Sequence, residues 1–212
     1  MANIHDYDDI RPFMPEELPA VYDRLISDPS FRNAIETVYK GVPYEHVAQM
    51  IRSTKSSNEF QKVCVYPVLK NLIDNASTGL TSDFTAIKDD TSRAYTFVSN
   101  HRDIVLDSAL LCYALIEAGM STVEIAIGDN LLIHPWIKDL VRVNKSFIVQ
   151  RALTMRQMLM ASAKMSSYMH FAINEKHENI WIAQREGRAK DSNDRTQESV
   201  LKMMAMGGEG SV

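Results

Sequence analysis

Cysteine is nearly absent from this sequence. The 212 residues include two cysteines, Cys64 and Cys112, and both stand in apolar surroundings. No CxxC pair and no cysteine and histidine cluster has the spacing of a zinc site. We therefore interpret both cysteines as reduced core residues, which fits a cytoplasmic protein, and we predict no metal site and no bound cofactor.

Long apolar runs and an excess of positive charge are also lacking. The longest apolar region, residues 104–118, carries Asp107 and Glu117 and is shorter than the ~18 residues needed to span a bilayer. The acidic N-terminus has no apolar segment typical of a signal peptide, so any membrane contact is expected to be peripheral. The net charge of -4 argues against general nucleic-acid binding.

The order of apolar patterns predicts an α/β fold, with a mostly parallel sheet flanked by helices and an N-terminal all-helical subdomain at residues 1–80. Helices are expected there at roughly 16–27, 30–40, 44–52 and 57–75, and Pro67 should kink or restart the last one. A polar connector at 79–93 leads to expected strands at 94–99, 123–127, 146–150 and 179–184, which alternate with helices at 104–118, 134–142, 153–175 and 196–206. This alternation favours a parallel sheet, and residues 81–212 are assigned to one α/β domain.

The α/β domain is expected to be truncated at its C-terminus. No strand follows the helix that ends near Met206, and the chain stops after a glycine-rich hexapeptide. A last strand supplied from elsewhere is the alternative explanation. Truncation puts the activity of this chain in question.

His101 stands where an apolar strand gives way to a buried helix that Gly119 closes. In α/β folds this edge of the sheet is where ligands bind. A histidine can act as a general base if a carboxylate orients its ring, and Asp103 and Asp107 are both close in sequence. The alternative is a loop histidine beside a helix cap, because single His and Asp spacings often occur by chance.

Basic residues follow two other strands of the predicted sheet. Arg151 ends one strand, and Arg185, Glu186, Gly187 and Arg188 form a turn after another. Arginine binds phosphate through two parallel hydrogen bonds, so this edge is expected to bind an anion. A solvated turn with surface ion pairs is the alternative.

A methionine-rich helix contains Met155, Met158, Met160, Met165 and Met169. Methionine fills irregular apolar space, so an acyl-chain groove or a membrane-facing surface is one interpretation. A packed core helix is the other, because most of these residues share one helical stripe.

Three blocks in this order resemble the glycerol-3-phosphate / 1-acylglycerol-3-phosphate acyltransferase family, also called PlsC-type acyltransferases. The blocks are Asn100-His101-Arg102 with Asp107, residues 147–151 ending in Arg151, and Glu186-Gly187-Arg188. The family has four residues between histidine and aspartate, whereas five stand here, so Leu106 occupies the usual acid position. Either Asp107 or Asp103 then has the acid role, and Asp107 is favoured. The family's fourth block, a strand with proline near its start, is absent.

The resemblance implies transfer of a fatty acyl group from a coenzyme A or acyl-carrier-protein thioester to a hydroxyl of glycerol-3-phosphate or a lysophospholipid. It implies His101 as general base, Asp107 or Asp103 as its partner, and a peripheral location at the inner face of the membrane. The residues expected to bind substrate are Arg102, Lys145, Arg151, Arg185, Glu186, Gly187 and Arg188. Three alternatives stay open: O-acylation of an amino-acid lipid, a non-catalytic module that binds lipid or acyl carrier, and a purely structural α/β domain.

Overall fold

A computed structural model describes residues 3–87, 93–151, 154–191 and 193–207. Residues 88–92 of the expected connector, residue 153 of the expected methionine-rich helix and the last five residues of the chain lie outside this part. The chain divides into two compact units. The helical unit comprises residues 12–82 and 131–146, and the α/β unit comprises residues 1–11, 83–130 and 147–212.

The helical unit contains the helices expected before residue 80, and a further helix joins them. Its helices are α1 (Leu18–Ser27), α2 (Pro29–Val38), α3 (Tyr44–Ser53), α4 (Ser57–Phe60), α5 (Tyr66–Ala76) and α7 (Pro135–Val143). Their apolar stripes meet in a core built around Leu18, Tyr22, Phe31 and Ile51. Pro67 lies in the first turn of α5, directly after a π-helical turn at Gln61–Val65. Residues 57–76 are helical without a break, so the helix does not restart at Pro67, and the π-helical turn accommodates the N–H that proline lacks.

The α/β unit contains a parallel sheet with strands in the order β1, β4, β2, β3. The strands are β1 (Thr96–Ser99), β2 (Val123–Gly128), β3 (Ser146–Val149) and β4 (Asn179–Ala183), and the helices of this unit are α6 (Leu106–Glu117), α8 (Met155–Asn174) and α9 (Glu198–Ala205). Leu115, Val123 and Trp181 are buried in its core. Gly119 ends α6 with a φ of 71°, a conformation that favours glycine. The predicted α/β fold is confirmed.

β1 is more exposed than the sequence predicted. The apolar and β-branched run from Ala94 to Val98 predicts a buried strand, yet Val98 keeps 41% of its surface exposed and Thr96 and Ser99 are exposed too. β1 lies at the edge of the sheet and pairs with β4. An apolar run in a parallel sheet suggests burial on both faces, but an edge strand need not be covered on both.

The boundary between the units differs from the one expected at residue 80. Residues 1–11 belong to the α/β unit, where the Tyr7 ring packs against Tyr168 and Phe171. The carbonyl of Ile10 accepts the Ile148 N–H at 2.9 Å. Residues 131–146, expected in the α/β domain, join the helical unit because α7 contacts α1 and α2.

The two halves of the methionine-rich helix α8 fit different interpretations: the second half is a core helix and the first half exposes an apolar surface. Met165 and Met169 are buried, as a core helix requires, whereas Met155, Met158 and Met160 are exposed. No helix in the described ranges is both long enough and apolar enough to cross a membrane.

A buried carboxylate joins α8 to the centre of the sheet. Glu124 of β2 is 2% exposed and accepts hydrogen bonds from the Tyr168 hydroxyl, at 2.5 Å, and from the Lys176 ammonium. Burial, and next the charge of Glu124, raise the pKa of Tyr168 well above its ordinary value, so this hydroxyl stays a donor. Removal of Lys176 would leave the Glu124 carboxylate out of water with the neutral Tyr168 hydroxyl as its donor.

We therefore expect Lys176→Met to lower the free energy of unfolding by about 3 kcal/mol, because an uncompensated buried charge is strongly destabilising. Lys202→Met is the matched control, since Lys202 pairs with Glu198 on an exposed surface at 2.7 Å and such pairs contribute little. Urea denaturation followed by circular dichroism measures both variants. Equal losses in the two variants would contradict the role assigned to the buried pair.

Candidate active site

The carboxyl ends of β1 and β4 lie side by side. Ser99 is paired with Ala183 in the parallel register, and the Gln184 N–H donates to the Ser99 carbonyl at 2.9 Å. The Gln184 carboxamide continues this pairing by donating to the Asn100 side chain at 2.7 Å. His101 and Arg185, the next residues of each segment, are thereby positioned at the same edge of the sheet.

His101 is paired with Asp107. The ring Nδ1 lies 2.9 Å from Oδ2 of Asp107, and the side chains are 18% and 20% exposed. The same oxygen accepts the backbone N–H of Arg102 at 2.7 Å and that of Asp103 at 3.1 Å. An ionised carboxylate only accepts hydrogen bonds, so Nδ1 carries the proton that joins the two residues. In the neutral ring Nε2 is then the unprotonated nitrogen, as a general base requires.

Asp103 has the other role that the sequence allowed. Its Oδ1 accepts the N–H groups of Val105 and Leu106, both at 2.8 Å, which forms a side-chain turn that leads into α6. The Leu106 and Val105 N–H groups, followed by the charges of Arg188 and His101, lower the pKa of Asp103. Of the two acids left open by the sequence, Asp107 is the one that contacts the ring.

Trp181 supports the imidazole from the side of the sheet. Its ring meets that of His101 edge to face, with centroids 5.9 Å apart. Its indole N–H donates to the Ser99 hydroxyl at 2.9 Å, which fixes the orientation of the indole. The His101 ring therefore lies between a carboxylate and a buried aromatic side chain.

The turn after β4 is part of a loop whose described residues, 185–191 and 193–196, we call the clamped loop. Gln184 and Gln197 join its ends: the Gln197 N–H donates to the Gln184 carbonyl at 2.9 Å, and the Glu186 N–H donates to the Gln197 side chain at 2.7 Å. Thr196 donates its hydroxyl to the Gln184 side chain at 3.0 Å. Compact loops with adjacent ends are often functional, and this one carries Arg185 and Arg188.

The clamped loop holds the main chain of His101. The Ala189 N–H donates to the His101 carbonyl at 2.7 Å. The His101 N–H in turn donates to Oδ2 of Asp194 at 3.4 Å, and Oδ1 of Asp194 lies 3.5 Å from Nη1 of Arg185. The loop that carries the predicted anion-binding arginines thus contacts the candidate base directly.

Arg151 reaches the clamped loop from the end of β3. Its Nη1 lies 3.0 Å from Oε1 of Glu186, and its backbone N–H donates to Asp129 at 3.1 Å. The Nε atom passes the end of β2 so closely that a Cβ on Gly128 would lie 2.8 Å from it. Glycine at this position leaves room for the Arg151 side chain.

The remaining residues predicted to bind substrate differ in their positions and contacts. Arg188 is exposed and close enough to lower the pKa of Asp103, while Arg102 is exposed and contributes its backbone N–H to Asp107.

Gly187 adopts a φ of 72° with open space around it, so the backbone conformation favours glycine here. Lys145 belongs to the helical unit, where it is 3% exposed and its Nζ donates to Asn58 at 3.0 Å.

Sequence reasoning missed Ser99, Trp181, Gln184, Asp194 and Gln197. Trp181 and Ser99 have ordinary positions at strand ends, and nothing in their spacing indicates a contact with His101. Asp194 and the two glutamines are polar residues in a polar segment, which resembles any solvated loop. Only the polar run after an apolar strand marked this segment as a loop. Within the described ranges no group of three or more histidine, cysteine or acidic side chains is arranged to hold a metal ion.

No protein-family model matches the chain, and no curated protein is significantly similar to it.

Asp107→Asn should change the tautomer of the His101 ring. The carboxamide can donate to Nδ1, which favours the proton on Nε2, whereas the carboxylate keeps it on Nδ1. Ring ¹⁵N chemical shifts of the neutral histidine measure the change. Asp103→Asn is the control, because asparagine can form the same side-chain turn as aspartate. An unchanged His101 spectrum in Asp107→Asn would contradict the pairing.

Proposed function

We propose that this protein is an O-acyltransferase that moves a fatty acyl group from a thioester of coenzyme A or acyl carrier protein to a hydroxyl of glycerol-3-phosphate or a lysophospholipid. The observation that carries the proposal is the contact between His101 Nδ1 and Asp107 Oδ2 at 2.9 Å. The pair stands at the sheet edge where Arg185 and Arg151 also end their strands. The five-residue spacing, which differs from the family pattern, still allows this contact.

His101 acts as the general base in the proposed reaction. Its Nε2 takes the proton of the acceptor hydroxyl while the oxygen attacks the thioester carbonyl. Asp107 stabilises the imidazolium that forms and holds the ring in place. The tetrahedral intermediate then collapses, the C–S bond breaks, and the imidazolium returns the proton to the thiolate. The products are an ester and a free thiol, with His101 neutral again.

The arginines bind the phosphate of the acceptor. Arg151 and Arg185 have side chains that are 34% and 32% exposed, so part of each guanidinium is open to solvent. Within the described residues no acceptor is found for the buried Nε of either one. Guanidinium groups suit phosphate because they donate paired hydrogen bonds. Arg188 lies on the same loop and adds a third cation.

A direct transfer suits this chain better than a covalent acyl-enzyme. Both cysteines are buried, and burial raises the pKa of Cys64 to about 12. A thiol of this kind stays protonated at neutral pH and is a poor nucleophile. Cys112 lies inside α6 among the apolar core residues of the α/β unit.

The proposed location is peripheral, at the inner face of the membrane. The first half of α8 begins shortly after β3, at the carboxyl edge of the sheet, and it exposes an apolar surface. The exposed fractions are 86% for Met155, 56% for Met158, 67% for Leu159 and 65% for Met160. Exposed Arg156 stands among them, and Val105, 64% exposed, follows Arg102 at the same edge. Apolar side chains beside cations suit a membrane that contains anionic lipid.

His101→Ala should lower the rate of acyl transfer by about 10²–10⁴-fold, which is the usual contribution of a general base. Palmitoyl-coenzyme A serves as donor, and glycerol-3-phosphate, lysophosphatidate and a lyso-aminolipid are compared as acceptors. His46→Ala is the control, because His46 is exposed on α3 of the helical unit.

The choice of acceptor distinguishes the alternatives. Transfer to the lyso-aminolipid alone would move the proposal to amino-acid lipids. Binding of the thioester without transfer to any acceptor would favour a non-catalytic module. Near wild-type turnover by His101→Ala would remove the general-base assignment.

Met155→Ser combined with Met158→Ser should weaken binding to vesicles containing phosphatidylglycerol by about tenfold, since each apolar side chain withdrawn from water contributes to the affinity. Val38→Ser combined with Leu72→Ser is the matched control, because these side chains are 53% and 42% exposed in the helical unit. Vesicle flotation measures the bound fraction, with phosphatidylcholine vesicles as the neutral comparison. Equal losses from both double variants would contradict the assignment of this surface.

A further inference from the structure

We infer that Asp194 is a positioning residue that keeps the general base and an anion-binding arginine in one fixed arrangement. The inference rests on the proposed function, because it assigns roles to His101 and Arg185. It concerns a residue of the clamped loop that contacts neither the His101 ring nor, in the proposed reaction, the substrate.

Asp194 is a buried carboxylate with two different partners. Its side chain is 2% exposed, although the loop around it is largely open to solvent. One oxygen lies 3.4 Å from the His101 backbone nitrogen, and the other lies 3.5 Å from Nη1 of Arg185. Withdrawing a charged carboxylate from water is unfavourable unless donors replace the water. The two donors it meets here belong to the two residues that the proposed reaction needs.

The contact with His101 occurs where the sheet no longer supports the chain. β1 ends at Ser99, so the N–H of His101 has no strand partner, and the Asp194 carboxylate takes that place. Ala189 completes the arrangement by donating to the His101 carbonyl. Both polar groups of the His101 main chain are thus held by the clamped loop, and a small displacement of a catalytic group can lower a rate by about 10²-fold.

The contact with Arg185 leaves part of the guanidinium available. Arg185 is 32% exposed while the Asp194 side chain that it contacts is 2% exposed. The Arg185 side chain is therefore held by a buried partner and still accessible to solvent. The Asp194 carbonyl also accepts from the Gln184 side chain at 3.2 Å. Movement of Asp194 would therefore displace the cation and the base together.

Asp191 offers a matched comparison on the same loop. It is exposed, and its carboxylate accepts the N–H of Asn193 at 3.0 Å, a contact within a local turn. A role specific to Asp194 predicts that the same substitution at Asp191 leaves the reaction unchanged.

The test compares Asp194→Asn, Asp194→Ala and Asp191→Asn. The asparagine keeps an oxygen for the His101 N–H but removes the charge facing Arg185, so the acceptor KM should rise about tenfold with kcat within about twofold of wild type. Alanine removes both contacts, so kcat should also fall by up to about 10²-fold. The KM for the thioester should not change in either variant, and asparagine should restore most of the kcat that alanine loses.

A second measurement does not depend on activity. The backbone amide proton of His101, followed by ¹H–¹⁵N NMR and hydrogen exchange, should shift and exchange faster in Asp194→Ala than in Asp191→Asn. If wild-type protein transfers no acyl group, the proposed function fails while this measurement still decides the positioning role. An unchanged His101 amide in Asp194→Ala, or an acceptor KM in Asp194→Asn equal to that of Asp191→Asn, would overturn the inference. If Asp194→Ala does not fold, Asp194→Asn decides: its acceptor KM should rise above that of Asp191→Asn, and its His101 amide proton should shift because an uncharged oxygen replaces the carboxylate, whereas no change in either readout would overturn the inference.

Discussion

Oδ2 of Asp107 accepts three N–H groups, and the candidate site is built around this oxygen. The donors are the His101 ring and the backbone nitrogens of Arg102 and Asp103. Two of these bonds fold the turn between β1 and α6, and the third orients the imidazole. The interaction that shapes the turn is therefore also the one that makes the histidine a candidate base. A neutral or apolar side chain at position 107 would affect both.

The five residues between His101 and Asp107 are accommodated by the turn that leads into α6. Asp103 accepts the N–H groups of Val105 and Leu106 in this turn, the helix begins at Leu106, and Asp107 lies in its first turn. From there the Asp107 carboxylate points back over the three preceding N–H groups. The spacing argument could not predict this, because spacing alone does not tell where the first helical turn begins. The turn at Asp103 determines it.

The periodic parts of the fold were predictable, and the parts without a repeat were not. Strand and helix patterns predicted the ends of β2, β3 and β4 to within a residue or two. They could do so because buried elements place apolar residues at regular spacings along the sequence. The same reasoning placed His101 and Arg185 at one edge. It could not find Asp194 or Gln184, since contacts between a loop and a strand end follow no period. It also misjudged β1, because the sequence does not encode which strand lies at the edge, and it offered no sign that residues 131–146 would join the helical unit.

The two arginines at the site are paired with carboxylates that differ in their exposure to solvent. Arg151 is paired with Glu186, whose side chain is 72% exposed, whereas Arg185 is paired with Asp194, whose side chain is 2% exposed. An exposed carboxylate can move aside into water at little cost when an anion arrives, since surface ion pairs contribute little. A buried carboxylate cannot, because it would lose its two donors. In the proposed reaction an acceptor phosphate would therefore displace Glu186 from Arg151 while Arg185 keeps its contact with Asp194, so one arginine would adapt to the ligand and the other would set its distance from the candidate base.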